Sequence, residues 1–214
     1  MIDSNNLQTN KYSSLKVSRE TLYELDQYSK EILKRNKHIN LISKNSEKQI
    51  NSRHILDCAQ TIDFIDKSSI QICTDIGSGA GLPGIVIGIL MKEINQFFKL
   101  IFYEKSYHKC IFLREMSKKF KLNSVIYQKN IFESKDLVTD VIISRAFKPL
   151  PIIFEIATNN FKNHKYIILF LGKSGKEILN NSLKIWKFDY EEKKSLTSDE
   201  SIIVKIYNLK KKNG

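Results

Sequence analysis

The chain is sparing with the residues that punctuate or staple a fold: 214 residues hold three prolines, eight glycines, three cysteines and one tryptophan. Cys58, Cys73 and Cys110 are odd in number and lack the close pairing of a metal or redox site, so they read as small buried residues of a reduced, cytoplasmic protein. Unbroken apolar runs are short. The longest, around Ile85 to Met91, falls far below the roughly 20 residues that span a bilayer. The opening Met1-Ile2-Asp3-Ser4-Asn5-Asn6 has neither a basic start nor an apolar stretch, which argues against a signal peptide. Zinc spacing, a P-loop and a serine-nucleophile elbow are all missing, and no metal is expected. Negative charge is scarce too, with 23 acidic against 35 basic residues and a net charge of +12. That excess points to a polyanionic partner such as nucleic acid, or to a coding bias, since Lys, Asn and Ile are abundant together. With 42% hydrophobic residues, the length suits one substantial domain plus a small extension.

The few glycines gather in Thr74-Asp75-Ile76-Gly77-Ser78-Gly79-Ala80-Gly81-Leu82-Pro83-Gly84. An apolar run enters this stretch from Ile70 and another leaves it at Ile85, the order of a strand, a loop and a helix. Alternate glycines let backbone approach a ligand where side chains would collide. The helix behind offers unpaired N–H groups to a polar ligand, and Pro83 suits its first turn. Two cofactors compete for the loop. Gly79-Ala80-Gly81-Leu82-Pro83-Gly84 satisfies the dinucleotide pattern G-x-G-x-x-G. The register Asp75-x-Gly77-x-Gly79-x-Gly81 instead begins with a carboxylate. An acid there would repel a pyrophosphate but would suit the ammonium and sulfonium of S-adenosylmethionine (SAM), which is therefore preferred. Glu104, closing the run Leu100 to Tyr103, could take ribose hydroxyls in either case.

Along the chain, Met1 to Lys16 is polar and unpatterned, a frayed lead-in. Ser18 can cap a helix carrying the stripe Leu22, Leu25, Ile32 and Leu33 and ending near Lys37. A second helix is expected over Ser46 to Phe64, completing a helical cap (residues 1–66). From Ile70 strand and helix patterns alternate, implying a parallel sheet with helices on both faces over residues 67–209. Strands are expected at Ile70–Ile76, Lys99–Glu104, Ser124–Gln128, Asp140–Ser144 and Lys165–Leu171. Helices are expected over Ile152–Asn159 and Ser174–Asn181. Two further strands, Leu183–Tyr190 and Ser201–Tyr207, are too close in sequence for a crossover and should pair antiparallel. Residues 210–214 read as a loose basic tail. This is a Rossmann-like α/β sheet of seven mostly parallel strands, closer to a methyltransferase than to a dehydrogenase, which would need a second domain.

Ligands of open α/β sheets lie beyond the carboxyl ends of the strands. That rule selects Asp75 with the glycines, Glu104, Asn130-Ile131-Phe132 and Ser144-Arg145-Ala146-Phe147. Arg145 only donates hydrogen bonds, which suits an acceptor-rich edge such as guanine O6, or a phosphate; the plainer reading is a surface arginine beside a core phenylalanine. His54 and Asp57, three residues apart, could face the cleft, although the spacing by itself favours a helix-surface pair.

Taken together, these segments resemble the RsmG (GidB) family of bacterial 16S rRNA guanine-N7 methyltransferases. The resemblance runs nearly end to end through Asn40-Leu41-Ile42-Ser43, Arg53-His54-Ile55-Leu56-Asp57, the Asp75–Gly84 loop, Phe112-Leu113-Arg114 after Lys109, and Ile143-Ser144-Arg145-Ala146-Phe147. It implies SAM contacts at Gly77, Leu82, Glu104, Ile131, Phe132 and Arg145, with Arg145 positioned at the reaction centre; the loop register itself adds Asp75, Gly79 and Gly81. It also implies RNA contacts at Lys109, Arg114 and Lys173. Phe132 replaces an acidic residue usual in the family, and Gly172-Lys173 stands where the family has Lys-Gly. The implied partner is 16S rRNA, met on the small subunit or an assembly intermediate by a monomeric, metal-free cytoplasmic enzyme. The rivals are a SAM enzyme with another substrate, a basic RNA-binding module with a vestigial loop, and a dinucleotide oxidoreductase.

Overall fold

The computed structural model describes residues 17–212; the lead-in over residues 1–16 lies outside the described residues. Helix α1 (Arg19–Asn36) starts where Ser18 Oγ accepts the Thr21 N–H at 3.0 Å. Glu20 occupies its first turn and Lys34 and Arg35 its last, each charge placed favourably on the helix dipole. Leu25, Tyr28 and Ile32 form its fully buried stripe.

The single helix expected over 46–64 is instead a chain of short turns: 3-10 over Lys44–Gln49, π over Ile50–Leu56, one α turn at Asp57–Ala59 and 3-10 again over Gln60–Phe64. Ser and Asn side chains compete for backbone groups here, as Ser46 Oγ does by donating to Ser43 O at 2.8 Å. Periodicity alone registers the apolar positions and misses this competition.

The sheet follows with β1 (Ile72–Ile76), α2 (Gly84–Met91), β2 (Lys99–Tyr103), α3 (Tyr107–Lys119), β3 (Ser124–Tyr127), β4 (Leu137–Val138) and β5 (Val141–Ser144). Then come α4 (Leu150–Asn160), β6 (Phe161–Asn163), β7 (Tyr166–Leu171), α5 (Gly175–Ser182), β8 (Trp186–Lys194) and β9 (Ile202–Lys211). Seven strands run in the order β3-β2-β1-β5-β7-β9-β8. The first five are parallel, while β9 runs antiparallel to both β7 and β8. The expected seven-stranded architecture with a reversed C-terminal hairpin is thus present. The parallel pair β4–β6 stands apart and was not anticipated, being only two and three residues long.

Two boundaries differ. Pro83 is the N-cap of α2 rather than part of its first turn. Lys210 and Lys211 are no loose tail: they pair with Lys187 and Trp186, and Lys211 Nζ lies 5.6 Å from the Trp186 ring centroid. An alternating strand keeps pairing while its apolar side is covered, whatever charge its other side carries.

Neighbouring strand residues point to opposite faces, so Ile143 and Ile168 join one core and Ile142 and Ile167 the other. The first core packs α1, the 44–64 segment, α2 and α3; the second packs α4, α5 and the hairpin. Every residue of α2 is buried, which explains its unbroken apolar run.

Candidate active site

Strand order reverses at β1, whose neighbours are β2 on one side and β5 on the other. Beyond their carboxyl ends lies a cavity of about 440 Å³, within the usual range of small-molecule sites. Its floor is the loop after β1, and one wall holds Tyr103, Glu104, Asn130 and Ile131. The opposite wall is Arg145, Ala146 and Phe147 with His54 and Leu41 to Ser43 from the cap. Lys105, Lys109 and Lys129 line it too, a basic group that surrounds the three strand ends.

The loop is pinned from three sides. Tyr103 O accepts Gly77 N–H at 2.9 Å, Ser78 Oγ donates to Asp75 O at 2.8 Å, and the buried Tyr28 hydroxyl donates to Ala80 O at 2.6 Å. Gly77 has φ +69°, and a Cβ there would fall 2.1 Å from the Phe147 ring. Gly79, at φ +57°, is different: a Cβ would meet nothing nearer than Gly77 O at 3.9 Å, so the open space beside it is available to a ligand. Glu104 Oε2 accepts Gly79 N–H at 2.9 Å and Oε1 accepts Ser106 N–H at 2.8 Å. Each oxygen keeps a lone pair after that, enough for ribose hydroxyls.

Arg145 is held by side chains from the cap. Its Nη1 donates to His54 Nδ1 at 2.8 Å, Nη2 donates to Arg53 O at 2.8 Å, and Nη2 lies 3.2 Å from Asp57 Oδ2. Because arginine has no lone pair to offer, His54 Nδ1 must be the acceptor, and its proton sits on Nε2, which meets Ser46 Oγ at 2.8 Å. Burial, then the Arg145 and Arg53 charges, push the His54 pKa down to about 4, so the ring is neutral near pH 7. Asp57 Oδ1 in turn accepts from Ser195 Oγ at 2.8 Å, Gln60 Nε2 at 2.9 Å and Thr197 Oγ1 at 3.2 Å. On the far side of Arg145 and His54 opens a second cavity of about 640 Å³, bordered by Phe170, Gly172, Thr197 and Ser201.

Residues 21–204 match the model of the family described as GidB, rRNA small subunit methyltransferase G. A ribosomal RNA small subunit methyltransferase G of Pelagibacter ubique is 47% identical over 199 residues, covering 92% of this chain and 93% of that protein. The chain belongs to the GidB family. A Rickettsia felis relative of the same description is 35% identical over 197 residues, covering 92% and 98% of the two chains. Solved structures share the fold at low identity. M. capricolum TrmK with S-adenosylhomocysteine has a TM-score of 0.53 at 16% identity, over 71% of this chain and 66% of that one. The 16S rRNA methylase RmtB has 0.54 at 10% identity, over 94% and 80%.

Within this GidB-family chain, the cavity brings together Gly77, Gly79, Leu82, Glu104, Lys109, Ile131 and Arg145. Other expected site residues stand elsewhere. Asp75 is 1% exposed and sits behind the loop, where Oδ2 accepts the Gly84 N–H at 2.9 Å and helps start α2. Its Oδ1 is buried with no hydrogen-bond partner among the described residues. Burial outweighs the Gly84 N–H and pushes its carboxyl up to about 7. Gly81 faces inward, since a Cβ there would meet Ile85 at 2.4 Å and Leu113 at 2.9 Å. Phe132 is 43% exposed and is not among the residues that line the cavity. Arg114 is exposed on α3 outside the cavity lining, and Lys173, 82% exposed, pairs with Glu200 at 3.1 Å. Sequence reasoning undervalued His54 and Asp57. Their spacing described only their own helix, whereas Arg145, which they hold, is 91 residues from His54.

Proposed function

We propose that this chain transfers the methyl group of SAM to N7 of a guanosine in 16S rRNA, on the small subunit or an assembly intermediate. The observation that carries the reading is a cofactor-sized cavity in which, among the described residues, the imidazole is fully engaged and no cysteine lines the wall. His54 spends both ring nitrogens on Arg145 and Ser46. The thiols are buried, and desolvation pushes Cys58 to about 12 and raises Cys73 and Cys110. Guanine N7 carries a lone pair and no proton, so it is an acceptor that needs no base. Among the described residues no helix is long and apolar enough to cross a membrane.

The residues fit SAM: the space beside Gly79 would admit the cofactor, Glu104 would take the ribose hydroxyls, and Ile131 would lie against the adenine. When bound, SAM supplies an already activated methyl group. The protein's share is alignment and the exclusion of water. Arg145, between the two cavities, orients the acceptor nucleotide through guanine O6 or a phosphate. It does not point a donor at N7, which would mask the nucleophile. The lysines at the mouth hold the RNA backbone.

The test is labelled-methyl transfer from SAM to small subunits lacking the modification, with the product base identified. 7-Methylguanosine is expected; transfer to another base or to no RNA would replace the substrate reading. Calorimetry should find SAM bound and NAD not bound. RNA affinity should fall about ten- to a thousandfold between low and moderate salt as counterions are released. A flat response would assign the +12 charge to coding bias.

A further inference from the structure

We propose that His54 and Asp57 are positioning residues that fix the Arg145 guanidinium on the partition between the two cavities, and that His54 works as a permanent neutral acceptor rather than a proton carrier. The inference rests on the reading of Arg145 as the group that orients the acceptor nucleotide.

An arginine on a loop has several free torsions, and its planar fork is selective only when those torsions are set. Here three directions converge on it. His54 Nδ1 accepts at 2.8 Å from one terminal nitrogen, Arg53 O accepts at 2.8 Å from the other, and Asp57 Oδ2 lies 3.2 Å from that second nitrogen. The Phe170 ring backs the guanidinium, 5.4 Å from ring centroid to Cζ. Ala146, next along the chain, has φ +51°, a conformation an alanine adopts only when its surroundings require it. The Nε–H and one Nη1–H meet no acceptor among the described residues, which leaves them for a ligand.

The holders are themselves held. Ser46 Oγ receives the His54 Nε2 proton at 2.8 Å and passes its own to Ser43 O at 2.8 Å, fixing the tautomer that leaves Nδ1 free to accept. Asp57 is anchored by Ser195, Thr197 and Gln60, and Gln60 Oε1 accepts the Leu196 N–H at 3.0 Å. One carboxylate therefore links the cap, the arginine and the turn between β8 and β9. The other charged groups near the imidazole are Arg53 and Arg145, both cations, and each opposes its protonation.

The experiment is a double-mutant cycle with full-length enzyme on unmodified small subunits. It uses Arg145→Ala, His54→Ala and the double variant, with His54→Asn and Asp57→Asn alongside. His54→Asn retains an oxygen acceptor near the Nδ1 position. His54→Ala should lower kcat/KM for subunits by about tenfold to a hundredfold, the worth of a hydrogen bond to a charged group. SAM affinity should change by less than about threefold. In the Arg145→Ala background the same change should cost less than about threefold, because residues that act as one unit are non-additive. His54→Asn should recover most of the loss. Asp57→Asn keeps the hydroxyl-accepting oxygen but turns an amide donor toward the guanidinium, so it should lose transfer and lower the melting temperature by about a few degrees, without unfolding the enzyme. Between pH 5.5 and 8, kcat/KM should show no limb that disappears in His54→Asn.

Equal losses from His54→Ala in both backgrounds would overturn the inference, as would a His54-dependent limb near pH 6.5. If Arg145→Ala is impaired and His54→Ala is not, the positioning role alone fails. If Arg145→Ala transfers like wild type, the reading of Arg145 fails first and this inference falls with it.

Discussion

The floor and the partition of the cleft are built by opposite means. The floor is backbone: eleven consecutive residues, Thr74 to Gly84, in which the absence of side chains at Gly77 and Gly79 makes the shape. The partition is side chain: Arg145 takes its position from groups 88 to 92 residues earlier, and these are fixed in turn by Ser195 and Thr197. A backbone site tolerates most neighbours and fails where a Cβ is added. A side-chain site tolerates size changes nearby and fails where a hydrogen-bond partner changes chemistry.

The sharpest way to break this contrast is Arg145→Ala. Methyl transfer should fall by about two orders of magnitude or more, as charge-assisted contacts at a reaction centre usually require. The change should also cost about 1–3 kcal/mol of stability, because Asp57 Oδ2 loses its cation. The fold therefore depends on this arginine more than a surface residue would suggest. Arg145→Lys should rescue poorly, since a point charge cannot copy the fork; near-wild-type transfer by a folded Ala variant would return it to an ordinary surface role. Next come the glycines. Gly81→Ala should lose about 2–4 kcal/mol, as overpacking against Ile85 and Leu113 is added to a left-handed backbone. Gly79→Ala should lose only about 1–2 kcal/mol from its left-handed backbone but weaken SAM binding about tenfold or more. Matching melting curves and SAM affinities for the two variants would erase the distinction between the inward and the open glycine. Tyr28→Phe should cost about 1–2 kcal/mol by leaving Ala80 O unsatisfied, and weaken SAM binding a few-fold. An unchanged affinity would show that the cap does not support the floor.

The last effect, visible only as a difference between two pH values, is a signature of the buried carboxyl. Burial pushes the Asp75 carboxyl up to about 7 in the folded chain, from an ordinary value of 3.8. Between those values the folded chain keeps a proton that the unfolded chain has lost, so this group's contribution falls as pH rises toward 7. His54 runs the other way: burial holds it at about 4 in the folded chain, below the ordinary 6.5, so its contribution falls as pH drops through that window. The two slopes oppose each other and flatten the wild-type profile. Asp75→Asn should gain about 1–3 kcal/mol relative to wild type between pH 5 and pH 8. A difference constant with pH in thermal melts would contradict the buried, protonatable Asp75.

Legibility follows the same contrast. The loop, the parallel strands and the reversed hairpin were readable because glycine spacing and strand periodicity are local. The strand-end rule, which needs only strand boundaries, put Glu104 and Ile131 beside the cavity they line. Asp75 misled, since a residue next to the loop in sequence points behind it, toward the start of α2. Phe132 and Lys173 were placed by position in a motif, and each side chain turns outward. The partition was hidden because it joins residues 53–60, 145 and 195–197, whose meeting is a property of the assembled sheet. The broken helical segment over 44–64 was hidden by its own side chains, which take backbone acceptors that a regular helix would use.

The Asp57 bridge also sets a schedule for synthesis. Chains are made from the N-terminus and their domains fold in that order. The glycine loop, β1 and β2 leave the ribosome before Ser195, Thr197 and the strand that follows them. Asp57 can hold the arginine from both sides only when residues 145 and 195–197 have also arrived. The partition is therefore complete only after the C-terminal hairpin has joined the sheet, whereas the glycine loop depends on nothing beyond Glu104 for its backbone pins.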